Sequence, residues 1–194
     1  TQLEQQRSGL VQALQSDALA LLEQRAELEQ RIELSVPAQL ASVKTRLHGD
    51  YHLGQVLLRN GDFVIIDFEG EPARTLDERR QKHSPLRDVA GMLRSFNYAR
   101  HTAVGRAAER RPQELDRFAQ LSAQWEKQVR TAFLRSYEEA MQSQMPADSI
   151  EPARRLLELF ELEKAFYELR YELGNRPDWV GIPLRGLLAL VRGK

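Results

Sequence analysis

Residues 46–80 read RLHGDYHLGQVLLRNGDFVIIDFEGEPARTLDERR, a stretch that combines two apolar runs with a dense set of polar side chains. The runs QVLLR and FVIIDF flank the pair Asn60-Gly61. An Asn-Gly pair readily adopts the positive φ angles of a two-residue hairpin turn. The stretch therefore predicts a β-hairpin from about Gln55 to Phe68, with polar side chains at its open end.

The polar side chains before the hairpin permit three interpretations, of which the first is a transition-metal site. His48, Asp50 and His52 alternate along the chain, so on an extended strand they would share one face. Two imidazoles and a carboxylate could hold zinc or iron there, which would indicate a hydrolase. Gly49 and Gly54 interrupt the strand geometry and argue against this interpretation.

Phosphoryl transfer is the second interpretation. It requires a carboxylate that deprotonates a hydroxyl group and oxygen ligands that hold magnesium on nucleotide phosphates. Asp50, Gln55 and Asp67 supply a base, an amide and an acid in that order, at one end of the predicted hairpin, and Glu69 adds an oxygen donor. In the third interpretation, Asp50 and His48 only satisfy backbone groups of a polar loop. The ordered base, amide and acid favour the second.

Composition limits the classes of partner. Lys plus Arg and Asp plus Glu number 28 each in 194 residues, so no overall charge attracts nucleic acid or an anionic membrane. Cysteine is absent from the sequence, which excludes disulfides, thiolate nucleophiles and cysteine-ligated zinc. No apolar run is long enough to cross a bilayer, and the start TQLEQQRSGL lacks the pattern of a signal peptide. We therefore expect a cytoplasmic protein of one domain, or one lobe of a larger protein, that binds neither nucleic acid nor a membrane.

Most of the remaining sequence has the apolar periodicity of helices, so the predicted fold class is mainly α with a small β-hairpin. One amphipathic helix is predicted from Leu14 to Ile32. Another is predicted to start with Ser84 as its N-cap and Pro85 in the first turn, where Asp88 has a structural role beside the helix dipole. Further helices are predicted over 113–141 and 151–173, and the joints are expected at Pro146, Pro152, Pro177 and Pro183.

The helix predicted over 151–173 carries two stripes of side chains. One narrow apolar stripe is typical of a core-facing surface, and it comprises Leu159, Leu162, Phe166, Leu169 and Leu173. Phe160, Lys164, Tyr167 and Tyr171 form a second stripe on nearly the opposite side. Aromatic rings next to a charged donor suit a sugar, whose C–H faces stack while its hydroxyl groups form hydrogen bonds. The alternative is a helix packed between two layers, with the tyrosine hydroxyls in solvent.

A turn is predicted directly after this helix. Gly174 and Asn175 are typical of a helix end, and Pro177 cannot continue the helix. The turn would present Arg176 and Trp179. Taken alone, Trp179 is better explained by packing, but beside the second stripe it becomes a candidate platform for a sugar.

Several blocks of the sequence resemble a known family over nearly the whole chain. HGDYHLGQ followed by VIIDFEGEP resembles the catalytic and metal-binding loops of the aminoglycoside-phosphotransferase and protein-kinase-like superfamily. More narrowly, RLHGDYHLGQVL, DFEGEPARTLDERRQKHSPLRDVAGMLRSFNYA and EKAFYELRYELGNRPDWVGIPLRGL resemble the maltokinases, which are often fused to trehalose synthase. The resemblance implies ATP-dependent phosphorylation of maltose at its anomeric hydroxyl. The product would be maltose 1-phosphate, a precursor for α-glucan synthesis such as that of glycogen.

The resemblance also implies roles for individual residues. Asp50 would be the catalytic base, and His48 would support its loop. Gln55 and Asp67 would be magnesium ligands, with Gln55 where most of the superfamily has asparagine, and Glu69 would add a water-mediated contact. The residues expected to bind the sugar are His52, Lys164, Tyr167, Tyr171, Arg176 and Trp179.

The resemblance further implies that the chain corresponds to a C-terminal lobe. Kinases of this type hold ATP with a glycine-rich loop and a lysine on an N-terminal lobe, which we do not find in this sequence. We expect residues 1–194 to form one lobe, with N-terminal helices over 1–45, the catalytic loop, hairpin and metal-binding loop over 46–83, and a helical substrate-binding part over 84–194. Alone it should be inactive. The alternatives are a small-molecule kinase with another acceptor, such as an aminoglycoside or a different sugar, and a non-catalytic docking module of a trehalose synthase fusion.

Overall fold

The hairpin predicted from the Asn-Gly pair is present. The computed structural model describes residues 1–36, 43–71, 74–143 and 150–191. Strand β2 (Val56–Arg59) pairs antiparallel with β3 (Asp62–Ile65), with Val56 opposite Ile65. Asn60 and Gly61 have φ angles of 52° and 82°, which is the left-handed conformation that a tight turn between twisted strands requires. The strands are shorter than the predicted 55–68 because Gln55 belongs to a 3₁₀ turn, Leu53–Gln55.

A second two-stranded ribbon closes the base of this region. Strand β1 (Thr45–Arg46) pairs antiparallel with β4 (Lys82–His83), so Thr45 lies opposite His83. The short helix α4 (Leu76–Arg80) lies between the hairpin and β4 and begins with a capping box at Thr75. The sequence patterns did not predict this ribbon, because two-residue strands carry no periodicity. The ribbon brings both ends of the segment from 46 to 83 together.

Helices make up most of the described chain, which confirms the predicted fold class. They are α1 (Gln2–Gln6), α2 (Gln12–Glu23), α3 (Arg25–Ser35), α5 (Leu86–Arg110), α6 (Leu115–Met141), α7 (Ile150–Asn175) and α8 (Gly181–Val191). No helix in the described ranges is long and apolar enough to span a lipid bilayer.

The buried apolar side chains form two clusters, and α7 contributes to both. Leu162, Leu169 and Leu173 pack with residues of α1–α3 and α8. Ala153 and Leu157 pack with residues of α5, while side chains of α6 lie against the same cluster. The predicted alternative of a helix between two layers therefore describes part of α7, and Phe160 packs against the second cluster. The rest of its second stripe borders a cavity described below.

Two predicted helices differ from the structure in detail. The helix predicted over 14–32 is two helices, because the chain breaks at Gln24 with φ −87° and ψ 12°; Leu14, Ala18, Leu21 and Leu28 are nevertheless buried as expected. Helix α5 begins at Leu86 rather than Pro85, although the Ser84 hydroxyl still accepts from the Leu86 N–H at 3.4 Å.

Two prolines expected at joints lie just inside the helices that follow those joints. Pro152 and Pro183 are in the first turns of α7 and α8, where a missing N–H costs no helical hydrogen bond. Pro177 begins a 3₁₀ turn, Pro177–Trp179, as a joint should. Pro146 lies outside the described residues.

Candidate active site

The loop between β1 and β2 presents Asp50 at the edge of two adjoining cavities. Asp50 Oδ1 lies 3.6 Å from Lys164 Nζ, and Oδ2 lies 3.7 Å from His52 Nε2. The turn depends on Gly49, whose φ of 87° is unfavourable for other residues and whose Cβ, if present, would lie 3.1 Å from the Gly70 backbone. Glycine thus lets the loop cross close to the segment that follows the hairpin.

His48 fastens the loop to the hairpin from a buried position. Its Nδ1 accepts the Asp50 N–H at 3.4 Å, which leaves Nε2 as the protonated nitrogen. Nε2 then donates to the Ile66 carbonyl at 2.8 Å. The ring also contacts Tyr51 and Phe68, at centroid distances of 5.5 and 5.0 Å. His48 therefore links the loop to the strand that leads to Asp67.

Asp88 holds the same loop from α5. Its two carboxylate oxygens accept from the backbone N–H groups of His48 and Gly49 at 2.8 and 2.9 Å. This geometry agrees with a structural role for Asp88, and it adds a function that its position in the first turn of α5 did not predict. A single carboxylate aligns two consecutive peptide groups just before Asp50.

The arrangement of the histidines argues against a transition-metal site. Both ring nitrogens of His48 are engaged, and His52 Nδ1 accepts the Gly54 N–H at 3.0 Å. Within the part of the chain that the structure describes, no group of three or more His, Cys, Asp or Glu side chains could hold a metal ion. The zinc interpretation therefore lacks its ligands.

Gln55 and Asp67 meet at the open end of the hairpin, as predicted. Gln55 Nε2 donates to Asp67 Oδ2 at 2.8 Å, and Asp67 has a φ of 63°. An amide oxygen and a carboxylate at a solvent-accessible position fit magnesium, which takes few protein ligands and keeps waters and phosphates as its others. Glu69 is exposed, and its backbone carbonyl accepts a hydrogen bond from Arg79 at 3.2 Å.

One cavity of about 740 Å³ contains every residue that was expected to bind the sugar. The volume lies within the roughly 300–1,000 Å³ that is usual for ligand sites. Asp50 is at one end, and α5 and α7 form the walls. The predicted residues on its lining are His52, Lys164, Tyr167, Tyr171, Arg176 and Trp179. A smaller cavity of about 120 Å³ shares Asp50 and Lys164 with it.

Trp179 packs against two side chains in this structure. Tyr98 stacks on it with centroids 6.5 Å apart and planes 15° apart, and the Arg176 guanidinium lies 5.1 Å from the ring centroid. Arg176 also forms two hydrogen bonds to Glu172, at 2.6 and 2.8 Å. Trp179, Tyr98, Arg176 and Glu172 therefore form one connected group on the cavity lining.

Buried carboxylates on α7 form the floor of the cavity, and sequence reasoning missed them. Glu168 Oε2 accepts from Arg94 Nη2 and Nε at 2.7 and 2.9 Å, and burial raises the pKa of Glu168. Glu172, only 1% exposed, accepts from the Tyr98 hydroxyl at 3.1 Å. Charged residues on a helix usually indicate a solvated face, so the sequence pattern gave no indication that these two glutamates are buried. Burial and the hydrogen bond to Glu172 raise the pKa of Tyr98.

Glu71 is a further missed residue of the site. It is buried, forms a salt bridge with Arg74 at 3.1 Å and lines both cavities together with Tyr167. Burial, reinforced by Glu71, raises the pKa of Tyr167. Glu71 therefore brings the segment after the hairpin to the wall that Tyr167 forms.

Comparisons with known proteins agree with this architecture. The family model for the APH phosphotransferase enzyme family matches residues 1–71, which include Asp50 and the hairpin. A structure of a glucosamine kinase in complex with glucosamine, ADP and inorganic phosphate superposes with a TM-score of 0.62 at 22% identity, over 91% of this chain and 48% of that one. Another crystal form of a glucosamine kinase gives a TM-score of 0.63 at 22% identity, over 91% of this chain and 47% of that one.

The chain has the fold of a kinase-like C-terminal lobe. Together the matches support the aminoglycoside-phosphotransferase-like kinase superfamily for this lobe. In sequence, it is 30% identical over 137 residues to the glucosamine kinase of Streptacidiphilus jiangxiensis, covering 71% of this chain and 29% of that protein. It is 29% identical over 144 residues to the glucosamine kinase of Mycolicibacterium smegmatis, covering 74% of this chain and 34% of that protein. The lobe thus spans about a third of the length of these curated relatives.

Proposed function

We propose that this lobe belongs to an ATP-dependent sugar kinase in which Asp50 is the catalytic base. The observation that carries the proposal is that Asp50 lines the cavity of about 740 Å³, while Gln55 and Asp67 meet at the hairpin that directly follows its loop. A sugar hydroxyl in that cavity could reach Asp50 while the nucleotide phosphates lie over Gln55 and Asp67. The supporting loop contacts of His48 and Asp88 hold Asp50 in place.

Magnesium is part of this proposal. Gln55 and Asp67 would hold the ion, which neutralises charge on the phosphates when bound. Glu69 would add a water-mediated contact, as the resemblance implies. Gln55 has one methylene more than asparagine, so it reaches further towards Asp67.

We also propose that the full-length protein consists of two lobes, as a kinase of this type requires. Residues 1–45 and 84–194 supply helices that surround the catalytic segment over 46–83, and a separate nucleotide-binding lobe elsewhere in the full-length protein completes the site. The exposed apolar side chains of the hairpin, among them Leu58 at 71% and Phe63 at 72%, agree with a surface that another part of the protein covers.

Maltose is the acceptor that we propose from the resemblance to maltokinases. The cavity extends from Asp50 to Trp179, and its aromatic walls with Lys164 and Arg176 suit the stacking faces and hydroxyl groups of a disaccharide. The phosphorylated product would be maltose 1-phosphate. Glucosamine, on which the relatives act by name, is the second candidate, favoured by the buried carboxylate of Glu172. In this structure that carboxylate holds the Arg176 cation, whose place an ammonium group could take.

The test is phosphorylation of maltose and of glucosamine by the full-length protein, with ATP and magnesium and with the product identified by phosphorus NMR. Asp50→Asn keeps the shape and removes the base, so we expect turnover to fall by roughly 10²–10⁴-fold. Asp116→Asn, an exposed change on α6, is the matched control and should leave turnover unchanged. Equal turnover of Asp50→Asn and the wild type would instead favour a non-catalytic docking module.

A further inference from the structure

Lys164 is placed to act on the phosphoryl group as well as on the sugar. It projects from the middle of α7, and its Nζ lies 3.6 Å from Asp50 Oδ1. Both side chains are 28% exposed, so the pair is neither buried nor fully solvated. Lys164 borders the larger cavity and the smaller one, which meet at Asp50. A cation therefore lies next to the proposed base, where the two cavities meet.

The ammonium group of Lys164 contacts an aromatic ring as well as Asp50. The Nζ atom lies 5.0 Å from the centroid of the Tyr167 ring. The distance to Asp50 exceeds the roughly 2.7–2.9 Å of a tight charge-assisted hydrogen bond. An ammonium group has three N–H donors, so it can face Asp50 and a second anion together.

The proposed reaction creates such a second anion next to Asp50. The acceptor hydroxyl oxygen forms a bond to the γ-phosphorus of ATP, and the bond from that phosphorus to the bridging oxygen breaks. The electron pair leaves with ADP, and the hydroxyl proton passes to Asp50. Until that proton arrives, the Asp50 carboxylate and the negative phosphoryl oxygens repel one another across the acceptor. A cation in contact with both would lower this repulsion.

We propose that Lys164 stabilises this charge: it pairs with Asp50 in the resting site and contacts the transferred phosphoryl group during the reaction. The inference rests on the proposed function and deepens it, because it assigns Lys164 to the chemical step rather than to sugar binding alone. His52 is near the other oxygen of Asp50, with its Nε2 3.7 Å from Oδ2, while its Nδ1 accepts the Gly54 N–H.

The experiment compares Lys164→Met with Lys164→Arg in the full-length protein, measuring kcat, KM for the sugar and the melting temperature. Methionine keeps the length of the stem and removes the charge, so kcat should fall by about 100-fold while KM changes by less than about threefold. Arginine keeps the charge, so the kcat of Lys164→Arg should be at least about tenfold higher than that of Lys164→Met. Lys127→Met, an exposed change on α6, is the control and should match the wild type.

Three results would overturn the inference. A raised KM with unchanged kcat in Lys164→Met would make Lys164 a sugar ligand only. Equal losses in both variants together with a lower melting temperature would make it a structural residue. A wild-type protein that phosphorylates no sugar would refute the proposed function itself, a failure that is visible before any variant is compared.

Discussion

Asp50, in the loop between β1 and β2, and Asp88, which binds that loop from α5, differ in how their carboxylate oxygens are engaged. Asp50 faces Lys164 and His52 at distances above 3.5 Å and borders open space, so its oxygens remain accessible to a substrate hydroxyl. Asp88 accepts two short hydrogen bonds from backbone N–H groups, so its oxygens are committed. At the scale of the residue, hydrogen-bond geometry separates a candidate base from a structural carboxylate.

Removal of the Asp88 carboxylate should loosen the catalytic loop. In Asp88→Ala the N–H groups of His48 and Gly49 lose their acceptors, so we expect the free energy of unfolding to fall by about 1–3 kcal/mol. Turnover should fall as well, because Asp50 follows these two residues directly. Urea unfolding and initial rates of sugar phosphorylation by the full-length protein measure the two effects.

A matched control exists on another helix. Asp116 is also an acidic residue in the first turn of its helix, but it is exposed. Asp116→Ala removes only an interaction with the helix dipole, so the free energy of unfolding should fall by about 0.3–1 kcal/mol. Turnover should be unchanged. If both variants behaved alike, Asp88 would have no role in the loop beyond the dipole.

At the scale of the element, α5 supports the loop that carries Asp50 through a contact that only glycine permits. A Cβ at Gly91 would lie 2.6 Å from the Tyr51 carbonyl oxygen. A real Cβ would force either the loop or the helix to move. The backbone of the loop thus rests directly on the backbone of α5.

Two glycine-to-alanine changes on this one helix should have opposite signs. Gly91→Ala should destabilise the protein by about 1–3 kcal/mol, as overpacking does, and lower turnover because the loop is displaced. Gly105→Ala should stabilise it by about 0.5–1 kcal/mol, because nothing lies within 4 Å of its Cβ and alanine is the better helix former. Thermal or urea unfolding checks both signs. A gain in stability from Gly91→Ala would contradict the direct contact.

At the scale of the whole molecule, ion pairs on α7 connect it to the two long helices before it. Glu161 forms two hydrogen bonds with Arg130 of α6, at 2.9 and 3.0 Å. Glu168 pairs with Arg94 of α5, where the exposed fractions of the side chains are 12% and 4%. These pairs determine which face of α7 meets α5, and therefore which face borders the cavity.

Loss of Arg94 should be severe, because it leaves the Glu168 carboxylate buried and unpaired. We expect Arg94→Met to lower the free energy of unfolding by about 3–5 kcal/mol. The control is Arg25→Met, which breaks a solvent-exposed pair with Glu29 within α3 and should leave the unfolding midpoint unchanged. Equal midpoints for both variants would mean that the Arg94–Glu168 pair is not essential to the packing of α7 on α5.

Local patterns predicted the parts of the site that lie within a few residues of one another. The hairpin followed from Asn60-Gly61, and its turn geometry places Gln55 against Asp67. The second stripe of α7 followed from helical periodicity, and Lys164, Tyr167 and Tyr171 do border the cavity. The break at Gln24 was missed, because apolar spacing continues across it and carries no sign of a change in axis.

The sequence by itself determined the fold class, the hairpin and the order of base, amide and acid, because backbone propensities and side-chain periodicity act over short stretches of chain. Only the tertiary structure decided that Lys164 faces Asp50, that Asp88 holds the loop and that Glu172 is buried beneath Arg176. The pairs that shape the site, such as Arg94 with Glu168, are separated by 74 positions. Such pairs form only when whole helices pack against each other. The same packing buries glutamates that the sequence pattern would place on a solvated surface, so that they line the cavity.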